Sequence, residues 1–379
     1  MSTRKVMLFM DSLESGGAQR QMVTLANVLH QRGYAVSITT YYPGDQLSGF
    51  LCSPAIGLHY VPRTHKYDVS FLGRLTRFFR SEAPDCIISY LTTANFWARI
   101  AGSLAGVTAI ITSERSLNLR AGLLPRLVEN TLWRLSSTIV VNSAQGGRNL
   151  AAIGIPKDRI QVIYNGLDHD QFARQPAAAA LDFRRAHGIG AADFLVLLPG
   201  RMSAEKNHRL LVECVARLDP AWKVRVAFAG NEFYPEVKRE VQARIAAHGI
   251  GDQFIFLGPR GDMPVLYSAA DVVVLPSLWE GFPNVLVEAM ACGAPVIASD
   301  VSDNSTIVED GTSGFIFPSD DADALAGCLQ KILAMTAGER AAMGQAGAVR
   351  AGRLCSLESF GDQYAAIIEK ACAGTRQRR

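Results

Sequence analysis

Seven cysteines (Cys52, Cys86, Cys214, Cys292, Cys328, Cys355 and Cys372) are scattered through 379 residues, odd in number and without a C-x-x-C pair. A disulfide framework or a zinc ribbon would need a different pattern, so reduced, buried thiols in a cytosolic protein are expected. Apolar runs long enough to span a bilayer, about 18 residues, are missing. The opening run Val6–Met10 is too short for a secretory signal and stops at Asp11. Charge of one sign is scarce: 38 Lys and Arg against 35 Asp and Glu leave a net +3, too little to argue for nucleic acid. The chain lacks G-x-G-x-x-G, so a nicotinamide cofactor is not supported. The D-x-D run Asp321-Ala322-Asp323 reads as acids at a helix start rather than a manganese site, and no metal or cofactor is expected.

What the chain does have is enough apolar material for two cores. At 379 residues and 49% hydrophobic, two domains are the natural reading. Residues 1–173 carry 17 basic and 11 acidic side chains, a net of +6, so the remainder carries −3. Such an asymmetry suits halves that meet different partners.

The pattern of elements is α/β. Val6–Met10 is a short apolar strand, followed by Ser15-Gly16-Gly17, a helical spacing of Met22, Leu25, Ala26 and Leu29, and a β-rich Ala35–Thr40. Cys86–Ser89, Thr108–Thr112, Thr138–Val141 and Gln161–Tyr164 continue as buried strands. A second series runs through Phe194–Leu198, Val224–Ala229, Phe254–Leu257, Val272–Leu275 and Val296–Ala298, with helices over Asn207–Leu218 and Asn284–Cys292. Pro176, the alanine run and His187-Gly188 offer the best junction by composition. Strand after strand ends at a small or polar residue before a helix, which puts loops at the carboxyl edge of a parallel sheet, where open α/β folds bind ligands.

Three constellations lie in those loops. Glu280-Gly281-Phe282-Pro283-Asn284-Val285-Leu286-Val287-Glu288 places two acids across a loop-to-helix boundary. A helix starting at Asn284 would turn its first amides outward at the positive end of its dipole, a site for a diphosphate. Glu288 would sit about one turn in, able to take hydrogen bonds from a ribose. Arg201 and Lys206, in Gly200-Arg201-Met202-Ser203-Ala204-Glu205-Lys206-Asn207, put two cations after a buried strand, suited to charge growing on a departing diphosphate. Gly16 and Gly17 let backbone come close to phosphate. Each motif alone also fits ordinary loop and helix-surface chemistry.

Taken in order, these residues resemble glycosyltransferases of the GT-B architecture, family 4, the large retaining group. The resemblance rests on Ser15 to Arg20, Asn165-Gly166-Leu167-Asp168, Gly200-Arg201 through Lys206-Asn207, Phe256-Leu257-Gly258, Tyr267 to Asp271, and the run Pro276 to Asp300. It implies two Rossmann-like parallel-sheet domains facing each other across a cleft. Residues 1–170 would bind the acceptor and 171–355 the nucleotide sugar, with a helix over 356–379 packing back on the first domain. It further implies that Glu280 contacts the donor sugar, that the Gly281–Leu286 backbone holds sugar and phosphate, and that Glu288 binds ribose. Arg201 and Lys206 would grip the diphosphate, Leu257, Gly258 and Arg260 would meet the base, and Gly16, Gly17 and Asn165 would join the donor site. The donor is expected to be a UDP-sugar.

One position departs from the family. Where many relatives carry a His after the strand Ala109–Thr112, this chain has Ser113-Glu114-Arg115-Ser116. Glu114 would accept a proton or bind an acceptor hydroxyl, or else pair with Arg115 or another cation. That variant resembles a bacterial subgroup working on lipid-linked saccharides. Two clusters of basic and apolar residues, Arg115 to Leu127 and Arg74-Arg77-Phe78-Phe79-Arg80, fit an anionic surface, so peripheral contact with the inner face of the cytoplasmic membrane is expected. The competing readings are a family 4 enzyme with a glucan or small-molecule acceptor and a nucleotide-sugar 2-epimerase.

Overall fold

The computed structural model describes residues 3–14, 16–66, 68–115 and 130–376. Two compact units divide the chain: residues 1–166 with 357–379, and residues 167–356. The Pro176–Gly188 stretch is therefore no junction; it forms the helix Ala177–Ala186 inside the second unit.

The first unit is built on seven parallel strands: β1 (Lys5–Met10), β2 (Ala35–Thr40), β3 (Gly57–Tyr60), β4 (Cys86–Tyr90), β5 (Ala109–Glu114), β6 (Thr138–Val141) and β7 (Ile160–Val162). Their order is β3-β2-β1-β4-β5-β6-β7. Helices on both faces leave β4 and β5 buried at every residue, which explains their continuous apolar character. β3 shows no such run and escapes the sequence pattern: Gly57, Leu58, His59 and Tyr60 are only half-buried or exposed, as an edge strand allows. The C-terminal helix Leu357–Arg376 packs on β4, β5 and the helix Gly17–Gln31, tied by Arg4 to Glu369 at 2.8 Å and Arg32 to Asp362 at 2.9 Å.

The second unit repeats the plan with six parallel strands: β8 (Phe194–Pro199), β9 (Val224–Ala229), β10 (Phe254–Gly258), β11 (Val272–Leu275), β12 (Val296–Ser299) and β13 (Gly314–Phe317), in the order β10-β9-β8-β11-β12-β13. Its core sits on both sides of β8, β11 and β12, all fully buried. Asp321 does start a helix: its side chain accepts the Ala324 N–H at 2.9 Å. The helix Ala337–Cys355 opens with a reciprocal cap between Thr336 and Glu339.

Six of the seven thiols are buried as expected, and Cys52 is exposed. Of the two basic–aromatic clusters, the described one lies on an amphipathic helix. In the helix Ser70–Glu82, Phe79 faces the core with Phe71 and Leu75, Arg74 pairs with Asp68 at 2.7 Å, and Arg80 donates to the Leu104 carbonyl at 2.9 Å. The helix thus buries one apolar face and holds Arg74 and Arg80 by local bonds. Arg115 is buried, and Ser116 to Leu127 lie outside the described residues. Among the described residues no helix is long and apolar enough to cross a membrane.

Backbone meets backbone closely where β8 and β9 end. A Cβ on Gly230 would stand 1.8 Å from the Gly200 carbonyl oxygen, and a backbone atom cannot swing aside as a side chain can. Gly230→Ala is expected to destabilise the protein by about 1–3 kcal/mol, read from urea unfolding monitored by circular dichroism. A variant with wild-type stability would show that the two turns can separate.

Candidate functional site

In the second sheet the chain runs outward from β8 in one direction through β9 and β10, and in the other through β11, β12 and β13. β8 and β11 are the neighbours from which the loops diverge, so their carboxyl ends border the crevice where such sheets take ligands. Gly200, at φ 140°, opens the loop after β8, in a conformation that glycine alone adopts readily. That loop ends in a turn of 3-10 helix, Ala204–Lys206, and Asn207 at φ 51° redirects the chain into the helix His208–Val215. The loop after β11 is stitched to it by the Leu278 N–H, which donates to the Glu205 carbonyl at 2.8 Å.

This stitching brings Lys206 Nζ to 2.6 Å from Glu280 Oε1. The side chains are 13% and 9% exposed, so the pair is largely withdrawn from water. Ser277 Oγ donates to the same carboxylate oxygen at 2.6 Å. Behind it, Ser299 Oγ donates to the Ser277 carbonyl at 2.6 Å, and Asn304 Nδ2 donates to the Ser299 carbonyl at 2.9 Å. The loops after β8, β11 and β12 thus converge on one carboxylate.

The helix Asn284–Ala291 begins where the sequence places it, and no side chain caps it. The expected row of bare amides is corrected, because the Asn284 N–H donates to Phe282 O at 3.0 Å and the Leu286 N–H to Pro283 O at 3.0 Å. Phe282, Pro283 and Leu286 bury their side chains, while Gly281, Asn284 and Val285 are half-buried. Glu288, one turn in, accepts the Tyr267 phenol proton at 2.8 Å.

Other expected members have partners outside the Lys206–Glu280 pair. Arg201 is 57% exposed and reaches Glu205 at 3.4 Å. Arg260 forks onto Asp262 with bonds of 2.9 and 2.7 Å. Leu257 and Gly258 end β10, two strands from β8, where the Gly258 carbonyl accepts the Gly230 N–H at 2.9 Å.

The first sheet has its own divergence point, between β1 and β4, with β5 next in order. Gly17 starts the helix after β1 and extended Gly16 precedes it; a Cβ on Gly16 would meet Gln19 Oε1 at 2.2 Å. Ser15 lies outside the described residues. Glu114 ends β5 and is 3% exposed. Thr92 Oγ1 donates to its Oε2 at 3.1 Å and Asn95 Nδ2 to its Oε1 at 2.5 Å. Arg115 sends its guanidinium to Ser113 Oγ at 3.0 Å, to Asn165 Oδ1 and to Tyr364 O–H at 3.0 Å, over the Tyr90 ring. The Asn165 side chain is accordingly held in the interior of the first unit. Burial pushes the Tyr90 phenol well above its ordinary range.

Ser277, Thr92 and Asn95 were not singled out by the sequence. Their one signal is position: Ser277 and Thr92 are small hydroxyl residues just past β11 and β4, where ligand-facing groups collect.

Two family models match the chain: Glycosyltransferase Family 4 over residues 15–171 and Glycosyl transferases group 1 over residues 181–350. Among curated relatives, the lipopolysaccharide core biosynthesis mannosyltransferase LpsB of Rhizobium meliloti is 33% identical over 187 residues, 48% of this chain and 52% of that protein. The UDP-Gal:α-D-GlcNAc-diphosphoundecaprenol α-1,3-galactosyltransferase of Escherichia coli is 26% identical over 281 residues, 70% of each chain. The match thus spans about half the length of the first relative and more of the second. In fold, the chain is similar to Anabaena HepE in complex with UDP and glucose, with a TM-score of 0.87 and 21% identity, covering 97% of this chain and 100% of that one.

His208, next to Lys206, is buried against Phe228, and its Nδ1 has no hydrogen-bond partner. Burial, reinforced by the Lys206 charge, lowers its pKa from 6.5 to about 3. The folded protein keeps the ring neutral while the unfolded chain protonates it below pH 6.5, so the unfolded state binds more protons and stability falls on acidification. Between pH 7 and pH 5 the wild type is expected to lose about 2 kcal/mol more than His208→Leu, measured by urea unfolding at both pH values. Equal losses would mean that His208 is protonated in the fold.

Proposed function

The chain belongs to glycosyltransferase family 4 and has the GT-B fold, and from that membership we propose that it transfers a hexose or N-acetylhexosamine from a nucleotide sugar, UDP-linked, to a saccharide acceptor. The acceptor in this reading is carried on a polyprenyl diphosphate at the inner face of the cytoplasmic membrane, in the making of a surface glycan. Among its relatives, the Escherichia coli galactosyltransferase is named for a UDP-sugar donor and a diphosphoundecaprenol-linked acceptor, and the Anabaena structure holds UDP and glucose. The basic first half supports contact with an anionic surface.

One observation carries the reading: the Lys206–Glu280 pair at the divergence point of the second sheet. A cation and a carboxylate side by side match a donor that is anionic at its diphosphate and hydroxyl-rich at its sugar. Lys206, with Arg201 from the same loop, would neutralise charge on the leaving diphosphate. Glu280 would accept hydrogen bonds from sugar hydroxyls, and Glu288, braced by Tyr267, those of the ribose. In the retaining course, the bond from the anomeric carbon to the phosphate oxygen breaks as the acceptor oxygen bonds on the same face. The acceptor proton passes to the departing phosphate oxygen, with no metal required.

Lys206→Met and Glu280→Gln, chosen for their similar size, are expected to reduce kcat about 100- to 1000-fold, read as UDP release from UDP-sugars. Thermal shifts with a panel of nucleotide sugars identify the donor, since a ligand that binds the folded state raises its melting temperature. Turnover with free saccharides and none with lipid-linked ones would reverse the acceptor assignment. Wild-type rates in either variant would remove that residue from the site.

A further inference from the structure

The carboxylate of Glu114 does not face solvent; an exposed threonine stands in front of it. Thr92 is exposed while Glu114 is buried, and the Thr92 hydroxyl donates to Glu114 Oε2 at 3.1 Å. The other carboxylate oxygen accepts from Asn95 Nδ2 at 2.5 Å. Asn95 is itself fixed: its amide also donates to the Ser113 carbonyl at 3.0 Å, and its oxygen accepts from Ser89 Oγ at 2.7 Å. A hydroxyl has one proton to donate and two lone pairs. With that proton directed inward to a carboxylate, the lone pairs of Thr92 turned outward can only accept, and the bond to a charged group strengthens that polarity.

The backbone holds the threonine there. Leu91, between β4 and the helix Thr92–Ala105, has φ 75° and ψ 148°, a conformation that is costly for a residue with a Cβ. Its N–H donates to the Ser113 carbonyl at 3.1 Å, and its carbonyl accepts the Asn95 N–H at 2.9 Å. The strained turn thus fastens the end of β4 to the end of β5, beside the divergence point of the first sheet.

We propose that Thr92 is a hydroxyl-binding residue of a saccharide subsite in the first unit, with Glu114 and Asn95 acting behind it as positioning residues. The subsite takes a neutral polyol that donates a hydroxyl proton to Thr92 Oγ1. The inference rests on the glycosyltransferase reading only in making that polyol part of the acceptor.

The test uses the full chain and four neutral probes: the methyl α-glycosides of glucose, galactose, mannose and N-acetylglucosamine, titrated by ligand-observed NMR. At least one is expected to bind the wild type and Thr92→Ser alike, and Thr92→Val at least about tenfold more weakly. Glu114→Gln should also weaken binding, and adding Thr92→Val to it should cost little more, since both act through one contact. Matching melting temperatures show that the surface substitution leaves the fold intact. UDP-glucose affinity, measured in parallel, should not change in Thr92→Val. Absence of glycoside binding by the wild type, or equal binding by Thr92→Val, overturns the subsite. Failure of the wild type to bind any nucleotide sugar would instead overturn the donor reading and leave the glycoside comparison intact.

Discussion

An ammonium and a carboxylate held 2.6 Å apart and largely out of water are an expensive arrangement. Desolvating two such charges costs several kcal/mol, and their attraction in the interior often does no more than offset it. The neighbouring structure can be understood as what keeps Lys206 and Glu280 together. Gly200 opens a turn against Gly230 that sets the path of the loop after β8, and Leu278 is bonded to Glu205 across to that loop. Ser277, Ser299 and Asn304 carry a line of hydrogen bonds from the loop after β12 to the Glu280 carboxylate. In the function proposed, the compensation for that cost comes from the donor, whose diphosphate and sugar hydroxyls offer each charge a partner.

The same sheet order occurs in both units, and the consequences are parallel. In each, two central strands run side by side while their following loops part, and polar side chains collect at the carboxyl edge. The second unit gathers a cation and an anion there. The first gathers a buried carboxylate bonded to an exposed threonine hydroxyl, the feature on which the proposed polyol subsite is built. A transferase needs both kinds of surface, one for an anionic donor and one for a sugar that must be oriented rather than neutralised.

The central strands were readable because β4, β8 and β11 are apolar at nearly every residue, as strands covered on both faces must be. β3 and β13 were not: β3 is a half-exposed edge strand, and β13 is four residues that begin at Gly314 itself. The helix start at Asn284 and the role of Asp321 as a cap were visible in local spacing. What spacing could not reveal is partner choice. Lys206 reaches Glu280, 74 residues away, whereas Arg201 turns to Glu205, four residues on. Nor could it show that Arg115 would leave Glu114 for Asn165 and Tyr364, because that depends on the C-terminal helix returning to the first sheet. Nor does the sequence say which aromatic residues of the helix Ser70–Glu82 face the core: Phe71 and Phe79 are buried there.

For the proposed function the Lys206–Glu280 pair must yield to a donor. A crystal structure of the full chain with a bound UDP-sugar measures this directly. Lys206 Nζ is expected to move from Glu280 to a diphosphate oxygen, and the Glu280 carboxylate to accept a hydrogen bond from a sugar hydroxyl. A donor bound elsewhere, with the 2.6 Å contact unchanged, would contradict it.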